Sequence, residues 1–193
     1  MNKDRQRVPM PIGIAPLTVL ALANAGKRYR PSHQAIATSS DPFTDLEATQ
    51  DLLRSWGIEG LVGETDLEQL QEVQKALQSF IVGRERHDYQ FRNALETLNQ
   101  FAARCHWTRR LSEAGTLVEK LSGSIAAMVA ARCVTELSQS DLTRLKTCCR
   151  PPCELVFYDT TRNRSAKWHA ENPCGWRARA ARNRSNERHK VKE

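Results

Sequence analysis

Near its C-terminus the chain sets three cysteines and a histidine at the spacing C-x4-C-x15-H-x4-C: Cys148, Cys153, His169 and Cys174. A structural zinc ion takes four soft or borderline ligands in a tetrahedron, and chains supply them as two short-spaced pairs separated by a longer excursion. Each pair here brackets four residues, Cys149-Arg150-Pro151-Pro152 and Ala170-Glu171-Asn172-Pro173, and both turns carry proline, which pre-sets the backbone for tight geometry. The alternative reading of the spacing is unrelated cysteines beside a surface histidine.

Cysteine usage favours the metal. Six cysteines in 193 residues is sparse for a disulfide scaffold. Four of them crowd into residues 148–174, as expected for metal binding in a reducing cytoplasm. Cys149 is spare, read as a bystander beside a ligand and otherwise as a redox-active thiol or substitute ligand. Cys105 and Cys133 lie in helical-looking sequence and read as buried thiols.

Charge divides the chain in the same place. From Arg144 to Glu193 there are 13 Lys and Arg against 5 Asp and Glu, leaving 16 basic against 17 acidic residues before it. The positive surplus belongs wholly to the cysteine-rich end, and a neutral body with a cationic end points to a polyanionic partner, nucleic acid by default.

The first forty residues carry Lys3, Arg5 and Arg7 ahead of an apolar run, Ile12 to Ala25, with a small-residue end like that of an export signal. Pro9, Pro11 and Pro16 interrupt it, export would expose a thiolate site to oxidation, and the run is too short to span a bilayer as a helix. Leu17–Asn24 is therefore expected to be a core element, strand or helix being undecided by periodicity, and 27–42 a loop.

Helical signals follow. Thr44 with Glu47 and Thr65 with Glu68 read as capping boxes opening two helices. Gly57 stops the first and Gly83 the second. Phe91, Leu95, Leu98 and Phe101 predict a third helix. The period then changes: 106–111 and 116–121 around Ser112–Gly115 predict a β-hairpin. A long apolar helix from Ile125 to Leu137 comes next, then a short basic helix capped by Ser140 or Asp141 and ending at Cys148.

The runs Arg144-Leu145-Lys146-Thr147-Cys148, Cys153 to Ser165, Trp168-His169 and Cys174-Gly175-Trp176-Arg177 resemble the CGNR zinc-finger family of bacterial proteins. In that family a mostly helical N-terminal domain, ABATE, described as a stress-induced transcription regulator, precedes the finger. The Asp45-Leu46-Glu47-Ala48-Thr49 and Ala94-Leu95-Glu96-Thr97-Leu98-Asn99 runs are similar to it. The resemblance implies one structural Zn2+ held by Cys148, Cys153, His169 and Cys174. His169 stands where the family has a cysteine, which changes the formal charge of the site from −2 to −1, and Trp176 stands where it has asparagine. The finger resembles a treble clef: a knuckle, a hairpin of 154–158 with Trp168–His169 as second strand, and a helix opened by Cys174.

The expected architecture is mainly α (α+β). Residues 1–140 form a helical regulatory domain with a small β-hairpin, and residues 141–193 form a zinc finger with a basic C-terminal helix. That helix, from Gly175 to about Arg188, carries Arg177, Arg184 and Arg188 on one stripe and Arg179 and Arg182 on another, separated by alanines, so it is charged all round. Such a helix suits a groove walled by phosphate, with Arg162 and Arg164 on the finger loop as a second contact pair. A solvated basic tail is the alternative.

The resulting expectation is a cytoplasmic transcriptional regulator that binds nucleic acid, DNA ahead of RNA, and no membrane. Its helical domain would sense a small molecule or form a homodimer. A structural or protein-interaction finger is the rival. No phosphate-binding glycine loop, nucleophile elbow or HExxH occurs, and His33, His87, His106 and His189 have no companions at ligand spacing, so no catalysis is expected.

Overall fold

The structure, a computed structural model, describes residues 15–27, 42–89, 91–151 and 153–190. The two ends of the predicted 27–42 loop are described, Lys27 and Pro42–Thr44; the rest of it, and the basic start of the chain, lie outside these residues.

Leu17–Asn24 is a helix, α1, eight residues long and almost wholly apolar. No local side chain caps it, and its caps come from distant sequence. At its start the Val19 N–H donates to Glu136 Oε2 at 3.0 Å. At its end the amides of Gln74 and Gln78 donate to the carbonyls of Leu22, Ala23 and Ala25 at 2.9–3.1 Å. A short apolar helix is unstable alone, and these tertiary partners satisfy the backbone groups it leaves open.

After a 3₁₀ turn at Pro42–Thr44, α2 spans Leu46–Ser55. Its N-cap is Asp45, which accepts from the Ala48 N–H at 2.7 Å, one residue beyond the predicted Thr44. Carboxylates cap as well as hydroxyls, and Thr44 is already used in the 3₁₀ turn. Gly57 does end this helix. It takes φ +68, and the Gly57 and Ile58 N–H groups donate back to Arg54 and Leu53 carbonyls in a Schellman closure.

Helix α3 runs Glu64–Glu85, beginning one residue before the predicted Thr65 and continuing past Gly83. Asp66 replaces the predicted Thr65–Glu68 box: its carboxylate accepts the Gly63 N–H at 2.9 Å. Helix α4 spans Phe91–Ala102 as its apolar spacing predicts. Strands β1 (His106–Leu111) and β2 (Leu117–Ser122) form the predicted antiparallel hairpin, with Gly115 at φ +76 closing the turn. Helix α5, Ile125–Gln139, is N-capped by Ser124.

The predicted short basic helix before Cys148 is absent. Asp141 does cap, accepting from the Thr143 N–H at 3.0 Å, but only one 3₁₀ turn, Leu142–Arg144, follows it. The chain then extends as β3, Leu145–Thr147, which pairs antiparallel with β4, Val156–Tyr158. Pairing with β4 satisfies the backbone of 145–147, which a single isolated helical turn could not do. The partner of the 154–158 run is thus the strand before the knuckle, not Trp168–His169.

Helices α3, α4 and α5 pack on one another, and α1 lies against α3 and α5. Val19, Leu22, Leu70, Val73, Leu77, Leu98 and Val129 are fully buried at their junction. Leu145, Val156 and Tyr158 belong to the same apolar cluster, so β3 and β4 close one end of the helical core. α1 is fastened to β4 by a two-way amide clamp. Asn24 Nδ2 donates to the Val156 carbonyl and Asn24 Oδ1 accepts the Val156 N–H, both at 2.8 Å. Asn24→Ala leaves both backbone groups of Val156 unpaired and is expected to cost about 1–3 kcal/mol by urea denaturation; an unchanged midpoint would contradict the clamp.

Candidate metal centre

The β3–β4 connection is the knuckle. The Cys148 N–H donates to the Leu155 carbonyl at 2.8 Å, continuing the hairpin by one pair. The Cys153 N–H returns to the Arg150 carbonyl at 2.7 Å, folding the turn back on itself. Glu154 completes it at φ +48. The Cys149 N–H donates to the Lys167 carbonyl at 2.9 Å and ties the knuckle to the segment that delivers His169. A tight turn at 171–175 then places Cys174 directly before helix α6, Trp176–Lys190.

Four ligand atoms converge: the Sγ of Cys148, Cys153 and Cys174 and a ring nitrogen of His169 all lie within 4.8 Å of one another. Tetrahedral zinc, with Zn–S about 2.3 Å and Zn–N about 2.0 Å, sets its ligand atoms about 3.5–3.8 Å apart, so the quartet fits one ion with small adjustments. Cys153 Sγ and His169 Nδ1 are already 3.3 Å apart. The three cysteines are buried, and Leu155 and Trp168 pack against them.

Burial pushes the Cys153 thiol up to about 12, and it raises that of Cys148 as well. Burial lowers His169, and the Arg150 cation lowers it further, keeping the imidazole in the neutral, ligating form. Burial thus favours the protonated thiols of Cys148 and Cys153, whereas a divalent cation beside them favours the thiolates, so metal binding here releases protons. Arg150 Nη1 approaches Cys174 Sγ at 3.8 Å and donates to that sulfur from outside the ligand quartet. Cys149 is exposed and its Sγ is directed at the Thr147 carbonyl, 3.9 Å away, outside the cluster. Cys133 is buried and Cys105 half-buried.

Sequence reading missed the residue that organises the loop beyond β4. Asp159, 1% exposed, accepts from Lys146 Nζ at 2.6 Å, the Thr161 hydroxyl at 2.6 Å, and the Thr161 and Ala166 N–H groups at 2.9 and 3.0 Å. Its own N–H donates to the Arg144 carbonyl, and the buried Arg144 guanidinium donates to the Asp159 and Thr161 carbonyls. This network fixes 159–166, and hence the approach to His169. Its signal in sequence was the Asp-Thr-Thr run, a local hydrogen-bonding turn signature.

The six arginines predicted to contact nucleic acid divide into three groups. Arg164, at φ +53, is ion-paired with Asp141 at 3.0 Å. Arg179 pairs with Glu171 and stands 5.7 Å over the Trp168 ring. Arg162, Arg182 and Arg184 have no partner among the described residues, and Arg177 is half-buried at the start of α6. Arg177 and Arg184, with Arg150 from the knuckle, line a groove of about 580 Å³ between residues 149–151 and α6. Trp176, 58% exposed, and Ala178, Ala180 and Ala181 complete its lining, and no described lining residue is acidic.

Residues 144–187 match the family described as CGNR zinc finger, so the finger read from the cysteine spacing is the segment that matches. No curated protein matches the chain.

Proposed function

We propose that this chain is a cytoplasmic transcriptional regulator without enzymatic activity, in which the zinc-binding finger presents helix α6 to DNA. The observation that carries this reading is the groove beside the metal centre. Three arginines, Arg150, Arg177 and Arg184, line a concavity together with an exposed indole, and no described lining residue is acidic. Guanidinium groups grip phosphate oxygens in a bidentate fashion, and an indole offers a stacking or sugar-packing surface. The charge of the segment from Arg144 onward, 13 basic against 5 acidic residues, supplies the attraction at longer range.

Cys148, Cys153, His169 and Cys174 would hold the zinc, whose contribution is to cross-link the knuckle to the start of α6. Arg150 is carried by the first and Arg177 and Arg184 by the second, so the cross-link keeps the two walls of the groove together. Among the described residues no helix is long and apolar enough to cross a membrane.

Arg184→Ala and Arg177→Ala in the full chain test the reading through fluorescence anisotropy with duplex DNA. Each is expected to weaken binding and to lower the slope of log K against log salt by about 1. Binding that ignores both substitutions and salt would instead favour a structural finger. Competition between duplex DNA and structured RNA distinguishes the two polyanions.

A further inference from the structure

Arg150 lies within the knuckle and reaches three of the four ligands. Its carbonyl accepts the Cys153 N–H at 2.7 Å, its main-chain N–H interacts with the Cys148 sulfur, and its Nη1 donates to Cys174 Sγ at 3.8 Å. The first two contacts are made by the main chain and need no particular side chain. The third needs the guanidinium, and it joins the knuckle to the turn at 171–175 that carries Cys174 into α6.

This contact differs from a surface ion pair in two ways. Cys174 is 0% exposed and Arg150 is half-buried, so water competes weakly for the sulfur. The acceptor also changes with the metal, because a thiol is a weak acceptor and a ligand thiolate a charged one. The bond from Arg150 is therefore strongest when the centre is loaded, as a donor to a ligand sulfur should be.

Arg150 also lines the groove that holds Trp176, Arg177 and Arg184. A phosphate group entering that groove meets the same cation. Arginine–phosphate bonds close to about 2.7–2.9 Å and are often bidentate, whereas the bond to sulfur is a single contact at 3.8 Å. The two acceptors draw on one positive charge, and the phosphate binds it more strongly. Arg184 supplies the contrast: it lines the groove and has no partner among the described residues.

We infer that Arg150 is a positioning residue that couples the metal centre to the groove: its guanidinium holds the sulfur of Cys174, and a phosphate group bound in the groove draws that guanidinium away. The hold on Cys174 is independent of the proposed function, whereas the effect of phosphate rests on it. The coupling is small beside the cross-link that zinc supplies, since the cross-link assembles both walls of the groove.

Two measurements on the full chain test the inference. In competition with a chromophoric chelator, Arg150→Met is expected to lower zinc affinity about 10–100-fold. One zinc per chain at saturation and unchanged helical circular dichroism show that the variant is folded. Arg150→Lys keeps a charge and a donor and should lie nearer the wild type. Arg184→Met removes a groove cation that touches no ligand sulfur and should leave zinc affinity unchanged. In the Co2+-loaded chain the thiolate-to-metal charge-transfer band reads the donor to sulfur directly. Arg150→Met should move the band to lower energy, because a sulfur without a donor releases electrons more readily. Saturating duplex DNA should move the wild-type band in the same direction and leave that of Arg150→Met in place. Unchanged zinc affinity in Arg150→Met, or an equal loss in Arg184→Met, overturns the hold on Cys174. Duplex DNA that binds by anisotropy without moving the wild-type band overturns the coupling. Duplex DNA that does not bind at all overturns the proposed function and the coupling with it, while the chelator measurement still decides the hold on Cys174.

Discussion

Cys153→Ser is expected to abolish stoichiometric zinc and to unfold the knuckle, residues 148–153, and the 167–175 segment while leaving the helical body and β4 standing. Cys153 is 1% exposed, lies 3.3 Å from His169 Nδ1 and has its thiol pushed up to about 12 by burial. It is therefore a protonated, enclosed thiol that only a metal turns into a productive thiolate. Apparent binding free energies of structural zinc fingers are about 10–16 kcal/mol at neutral pH, and most of that is folding free energy. Beneath the knuckle and residues 167–175 lies a small apolar cluster of the ligands with Leu155 and Trp168, too little to hold these segments alone. The helices, together with Val156 and Tyr158 of β4, answer to a different core, around Leu22, Leu70, Leu98 and Val129. Metal analysis with amide hydrogen exchange checks both halves of the expectation. On the proposed function, duplex affinity should fall in parallel, because Arg150 is carried by the knuckle and Arg177 and Arg184 by the helix after Cys174. His169→Cys should keep the zinc, since thiolate replaces imidazole in the same tetrahedron. Cys149→Ser should leave zinc content unchanged, because that sulfur is directed away from the cluster. Full zinc occupancy in Cys153→Ser would overturn the assignment of the ligands.

Asp159→Ala should be nearly as damaging. The substitution removes the acceptor of a lysine, a hydroxyl and two backbone N–H groups at once. Lys146 keeps its carbonyl contacts to Arg164 and Ala166 but loses its counter-charge. Breaking a buried pair from one side costs about 3–5 kcal/mol, measurable as a shift in the urea midpoint at neutral pH. The same carboxylate makes stability depend on acid. Burial works against its charge, but Lys146, Thr161 and Ala166 outweigh that effect and hold it at about 2. An ordinary aspartate titrates near about 3.9, so the folded state holds this proton less tightly than the unfolded one. The stabilisation is present in full above about pH 4 and is lost as pH falls towards about 2, a change of about 2 kcal/mol. Asp159→Asn should lack that component: the stability difference between wild type and variant should shrink across this window. A difference that stays constant there would show that Asp159 does not carry the ionic load described.

Much of the candidate site was legible in sequence because its determinants are local. Ligand spacing, prolines in the turns and the shift of charge at Arg144 depend on neighbours within a few residues, and all four proposed ligands converge in the structure. Helices with strong apolar period, α3 and α4, were legible for the same reason, although Asp45 and Asp66 took the capping roles assigned to Thr44 and the Thr65–Glu68 pair. The short basic helix before Cys148 was misread because Leu142 and Leu145 fit a helical stripe as well as they fit a strand. Pairing with Val156–Tyr158, across the knuckle, decides in favour of the strand.

What the sequence by itself determined is therefore the metal knuckle, the mainly helical order with its hairpin, and the segregation of positive charge to one end. These follow from short-range periodicity, turn chemistry and donor type. Only the tertiary structure decided that Leu17–Asn24 is a helix, because its capping partners Glu136, Gln74 and Gln78 come from other helices. It also decided that β4 is clamped to that helix by Asn24 and that Asp159 anchors the finger loop. It further placed Arg164 and Arg179 in ion pairs and brought Arg150, Arg177 and Arg184 to the lining of one groove. Hydrogen bonds and ion pairs between distant segments leave no periodic trace in a chain, and they come into being only when packing brings their partners within reach.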